Sequence, residues 1–138
     1  MITGMVQGTM LKALKRWAKQ NEKGTNDIQI GLSINPDNPD DVLYTKIIKG
    51  LINVKVTFKQ VIDSENDMLG KEEMARPFIQ SSILKFAEEY NEKPESIFVV
   101  IYCLNVNATL KSDVRLHLYA KGSPIRPVLF EEIFQNGE

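Results

Sequence analysis

Residues 42–63, "VLYTKIIKGLINVKVTFKQVID", decide between a helical and a sheet-based reading of this chain. As a helix, Leu43, Ile47, Ile48 and Leu51 would share one side, with Asp40 or Asp41 as the cap and Gly50 as the stop. As strands, the stretch is rich in Val, Ile, Thr and Tyr, which fit a pleated surface, and Lys49-Gly50 is a two-residue turn between two runs. We prefer the hairpin. Its second arm alternates cleanly, with Ile52, Val54, Val56 and Phe58 on one parity and Asn53, Lys55, Thr57 and Lys59 on the other, the period of a half-buried strand.

On the N-terminal side, "DIQIGLSI" (27–34) places Ile28, Ile30, Leu32 and Ile34 on one face of another strand. "NPDNPDD" (35–41) then interrupts it with turn chemistry alone. Before these, "TMLKALKRWAKQNEKG" (9–24) reads as a helix capped by Thr9 and stopped by Gly24. Met10, Leu11, Leu14, Trp17 and Ala18 form its apolar stripe, and Lys12, Lys15, Arg16 and Lys19 its basic face. Residues 1–8 are expected to be a flexible tail.

On the C-terminal side, "DSENDMLGKEE" (63–73) is an acidic loop running into a helix over 71–92. Ala75, Ile79, Ile83, Phe86, Ala87 and Tyr90 make its stripe, Pro77 belongs in its first turn, and Lys93-Pro94 ends it. "SIFVVIYCLNV" (96–106) is apolar on both parities, so it should be a central strand covered on both sides. "SDVRLHLYAKG" (112–122) alternates, with Val114, Leu116, Leu118 and Ala120 against Asp113, Arg115, His117, Tyr119 and Lys121. "PVLFEEIF" (127–134), after Pro124 and Pro127, closes the chain as a short helix.

The expected fold is α+β: a mainly antiparallel sheet of four to five strands, an N-terminal helix, a long middle helix and a short C-terminal helix, forming one domain over 9–138. No internal repeat is evident. In element order alone (helix, three strands, helix, two strands, helix) the chain is similar to the small dimeric chaperones that hold type III secretion effectors, which implies a binding role.

Composition narrows the chemistry. The chain has 138 residues, 43% hydrophobic and 25% charged, with net charge −1; no global basic charge draws it to nucleic acid. One cysteine, Cys103, and one histidine, His117, leave no disulfide, no HExxH and no CxxC. Glycine-rich phosphate loops and GxSxG are absent. Asp63, Glu65 and Asp67 begin like a calcium loop, but Met68 and Met74 stand where glycine and glutamate are required. No cofactor and no metal are expected. Without a basic, apolar leader or a membrane-length apolar run, the expected location is cytoplasmic.

Two constellations remain. Cys103 and His117 lie on strands that are expected to pair. In one register the thiol would face the imidazole as a nucleophile–base pair, whereas a slip of one residue puts Tyr102 there and Cys103 in the core. The second constellation is a polar sheet face. If the strands at 52–62 and 113–121 share a sheet, Lys55, Lys59, Arg115, His117, Tyr119 and Lys121 present cations and rings on one side, joined by Tyr102 or Cys103. Such a face could bind single-stranded nucleic acid. The expectation is a non-enzymatic, homodimeric module that engages a protein partner through this face or a sheet edge. A nucleic-acid binder is the alternative, and a small enzyme around His117/Cys103 the second alternative.

Overall fold

The computed structural model describes residues 2–48, 51–56 and 71–134. Helix α1 (Ile2–Gln20) leads to strands β1 (Ile28–Asn35), β2 (Asn38–Ile48) and β3 (Leu51–Val56). Helix α2 (Lys71–Glu89) leads to β4 (Ile97–Cys103), β5 (Val114–Ala120) and β6 (Ser123–Val128), and α3 (Phe130–Phe134) follows. The strands form one sheet in the order β3-β2-β1-β4-β5-β6, every neighbour antiparallel. The architecture is therefore α+β with a long middle helix. Residues 42–56 form the preferred hairpin, Ile48 opposite Leu51; its turn, Lys49-Gly50, lies outside the described residues.

The inward positions follow the alternation of the sequence. Ile28, Ile30, Leu32 and Ile34 of β1, Ile97, Val99, Ile101 and Cys103 of β4, and Val114, Leu116, Leu118 and Ala120 of β5 join one core with the stripes of all three helices. Among the described elements, the helices thus lie on one face of the sheet. The apolar stripes expected for α1 and α2 are buried, except that Tyr90, just past the end of α2, is half-buried, and Lys12, Lys15 and Lys19 stand in solvent. Arg126 stitches β6 to the helices. Its Nε donates to the Tyr90 hydroxyl at 3.1 Å, its Nη1 meets Glu132 at 3.1 Å, and the guanidinium lies 5.8 Å from the Phe86 ring centre.

No repeat was expected, yet the structure contains one. Adding 69 to a residue number carries Ile2 onto Lys71, Gln20 onto Glu89, Thr25 onto Pro94 and Ile28 onto Ile97, so helix, 3₁₀ turn and first strand correspond element by element. Both helices end in the same way. Glu22 and Asn91 take φ of 54° each, Lys23 N–H donates to the Ala18 carbonyl and Glu92 N–H to the Ala87 carbonyl, both at 2.8 Å, a Schellman closure. Adding 72 carries Ile48 onto Ala120 and Leu51 onto Ser123, and the hairpins β2–β3 and β5–β6 share even their irregularity, between Lys46/Ile47 and Leu118/Tyr119. The halves meet at β1–β4, where Gly31 faces Val100, its own counterpart, and the Ile30–Ile101 pair mirrors Leu32–Val99. That is a pseudo-two-fold axis through the centre of the sheet. Many buried inward positions correspond: Leu14 with Ile83, Trp17 with Phe86, Ala18 with Ala87, Ile28 with Ile97.

Several boundaries differ from the sequence reading. The expected tail is helical from Ile2, because Val6 extends the stripe into the core at 3% exposure while Gly4 and Gly8 let the helix lie against Lys111. Thr9 is consequently a buried mid-helix residue rather than a cap, and Gly24 lies beyond the αL residue Glu22 that ends the helix. Helix α2 starts at Lys71, which puts Pro77 in the second turn rather than the first. The sheet has a sixth strand. Pro124 and Pro127 read as breakers, but β6 is an edge strand, where a missing N–H is tolerated.

Candidate functional site

The outer face of the sheet, opposite the helices, is where the candidate residues fall. On β5 the alternation turns Arg115, His117 and Tyr119 outward, and on β4 it turns Phe98, Val100 and Tyr102 the same way. The register sets them in cross-strand pairs: Phe98 with Tyr119, Val100 with His117, Tyr102 with Arg115. The His117 and Tyr119 rings lie 5.3 Å apart, tilted at 58°. Val100 is 4% exposed although it lies outside the main core, while Phe98, Tyr102, His117 and Tyr119 are half-buried and Arg115 is exposed. None of β1, β4 and β5 carries an Asp or Glu.

Gly31 makes the centre of this face possible. Phe98, diagonal to it across β1–β4, lays its ring over the strand, and a Cβ at position 31 would come within 2.0 Å of the ring's Cζ. The glycine is needed here for close approach rather than for a special φ.

The six sequence-derived residues do not gather into one row. Arg115, His117 and Tyr119 stand together on β5. Lys55 occupies the β3 register position opposite Thr45, four strand spacings from His117, or about 19 Å at ~4.8 Å per strand. Lys59 lies outside the described residues, as do Phe58 and the acidic residues Asp63, Glu65 and Asp67. Lys121 sits in the β5–β6 turn rather than on the face. With Gly122 it takes positive φ (52° and 78°), the geometry of a primed hairpin turn, and its Nζ lies 3.3 Å from Glu92.

The register also separates the thiol from the imidazole. Cys103 pairs with Val114 and His117 with Val100, so the two side chains point to opposite faces of the sheet. Cys103 is 3% exposed, and burial, aided by the charge of Asp113, pushes its pKa up to about 11. At pH 8 a thiol reagent should therefore label the native protein about a hundredfold more slowly than the unfolded chain, since a pKa two units above 9.0 leaves about a hundredth of the thiolate. Stopped-flow labelling with and without denaturant checks this. Fast native labelling would put the thiol back in reach of chemistry.

Near the face, the β4–β5 connection is an ordered loop. Thr25 donates its Oγ1 to the Asn105 carbonyl at 2.6 Å and accepts from the Ala108 N–H at 3.0 Å. The Asp113 carboxylate accepts the N–H groups of Leu110 and Thr109 at 3.0 and 3.1 Å, which holds it below the ordinary carboxylate range. The described residues line two shallow hollows of about 220 and 230 Å³, one between Phe78, Lys85 and Ile133 and one between Gln7, Ser112 and Leu129. Both fall short of the ~300 Å³ at which small-molecule sites begin. Among the described residues, no three His, Cys, Asp or Glu side chains converge as metal ligands, and no helix is long and apolar enough to cross a membrane.

Sequence reading alone missed Phe98 and Val100 as partners of the β5 row. Their signal was present, because residues 97–103 are apolar on both parities; only the register was lacking. No family model, curated protein or solved structure matches the chain.

Proposed function

We propose that this chain is a non-enzymatic, cytoplasmic binding module that takes a protein partner on the outer face of β4 and β5 and also associates with itself. One observation carries the reading. The two halves share apolar residues at most inward positions, as packing against helices requires, although Leu118 answers to Lys46, and they differ at several outward ones. Where the first half has Gln29, Ser33 and Thr45, the second has Phe98, Tyr102 and His117. Packing over Gly31 accounts for Phe98, but the fold is built with either residue at the other two positions, so it does not explain Tyr102 and His117. Large rings beside the exposed Arg115, on strands that themselves carry no Asp or Glu, are the composition of a protein-recognition patch, where Tyr, Phe and Arg are enriched.

A nucleic-acid surface would need the cations to track a phosphate backbone. Lys55 and Lys121 lie away from the aromatic patch, so fluorescence-anisotropy titration of a mixed-sequence single-stranded oligonucleotide at low salt should show no saturable binding. Binding that weakens steeply with salt and disappears in an Arg115→Ala/His117→Ala variant would replace the protein-binding reading with the nucleic-acid one.

A further inference from the structure

The repeat gives the sheet two equivalent edges, β3 and β6, and the two are not alike. Hairpin β5–β6 closes on a two-residue turn, so the flanking pair Ala120–Ser123 is hydrogen-bonded and the next, Tyr119–Pro124, is not. At such a position the backbone nitrogen faces away from the neighbouring strand. Beyond the bulge the alternation resumes, and His117–Pro127 is again an outward-facing position. Proline therefore occupies both places at which β6 would offer an N–H to an incoming strand. Their counterparts on β3 are Ile52 and Lys55, each with an N–H, within a proline-free strand "LINVKV".

From this we infer that β3 is the edge at which a second copy of the chain adds, antiparallel, β3 against β3, about a two-fold axis. The inference rests on the self-association part of the proposed function and assigns it to a specific strand, apart from the aromatic face. Three features favour a second copy over any other occupant. An antiparallel strand pair is self-complementary, so one edge can serve both partners. The prolines on β6 block the β3–β6 contact that would grow without closing, which leaves the closed two-fold. The molecule already joins its own halves by this operation, since β1 and β4 pair antiparallel about the pseudo-two-fold axis. A two-fold normal to the sheet keeps the helices of both copies on one side and makes their outer faces continuous, which doubles the partner surface.

The test transplants the β6 edge onto β3. Sedimentation equilibrium at about 100 μM, far above the Kd of a micromolar dimer, should find the wild type at twice the chain mass. Ile52→Pro/Lys55→Pro should sediment as a monomer with unchanged circular dichroism, because β6 tolerates proline at both equivalent positions. A monomeric wild type, or a folded variant that stays dimeric, overturns the inference. Should the variant not fold, amide hydrogen exchange of the wild type decides. Ile52 and Lys55 N–H should be protected at high concentration and exchange at least tenfold faster on dilution; rapid exchange at both concentrations overturns the assignment. Loss of partner binding with the dimer intact would instead strike at the aromatic face.

Discussion

Trp17→Ala and Phe86→Ala should each destabilise the protein by about 3–5 kcal/mol, the cost of emptying a buried aromatic site. The two residues occupy the same position in the two halves, and each is 4% exposed in the shared core. With a total stability of roughly 5–15 kcal/mol, either change should lower Tm by more than 10 °C, on the scale of about 3–5 °C per kcal/mol for a domain of this size. The comparison between halves carries the information. If one core spans both, chemical denaturation of each variant remains a single transition, because neither half keeps its packing once the other opens. Two separated transitions would mean that the halves unfold independently and that the shared core is wrong. The repeat also supplies a control: Leu84, counterpart of the solvent-facing Lys15, is 46% exposed, and Leu84→Ala should cost below about 0.5 kcal/mol.

The second large effect concerns the outer face. Tyr102→Ala and Tyr119→Ala should each weaken partner binding by about 30-fold or more, the equivalent of a 2 kcal/mol hot spot, while shifting stability by about 1 kcal/mol or less. Both rings are half-buried at the sheet surface and pack on no helix among the described residues. Gln29→Ala and Ser33→Ala, on the same face of the first half, should change affinity less than about threefold. Titration calorimetry alongside thermal melts separates the two readouts. If the substitutions in both halves weaken binding equally, the aromatic patch is not the recognition surface.

Much of the fold was legible because alternation and helical stripes are local properties. The run "VLYTKIIKGLINVKV" resolves to a hairpin on β-branched content, and the stripe from Ala75 to Tyr90 resolves to a helix on its spacing. What could not be read locally depended on partners distant in sequence. Pro124 and Pro127 look like breakers until β6 is known to be an edge, and Gly4 and Gly8 look like tail residues until α1 is seen to lie against Lys111. The repeat hides because packing constrains size and polarity rather than identity. Met10 answers to Ile79 and Ile34 to Cys103, and the one short match that draws the eye, Asn-Glu-Lys at 21–23 and 91–93, is one residue out of step with the structural correspondence. The same limit applied to the site. Arg115, His117 and Tyr119 were visible as a row, but only the register shows that Phe98 and Tyr102 stand beside them, that Lys55 does not, and that Cys103 faces the core.

The most direct measurement replaces Tyr119, Tyr102, Gln29 and Glu131 one at a time with a photocrosslinking phenylalanine analogue and irradiates cells expressing each variant. Glu131 lies on α3, across the molecule, and Gln29 marks the outer face of the first half. One discrete protein adduct from positions 119 and 102, absent from 29 and 131, is the expected result. Adducts of equal yield from all four positions, or none from 119 and 102, would contradict a partner surface on β4 and β5.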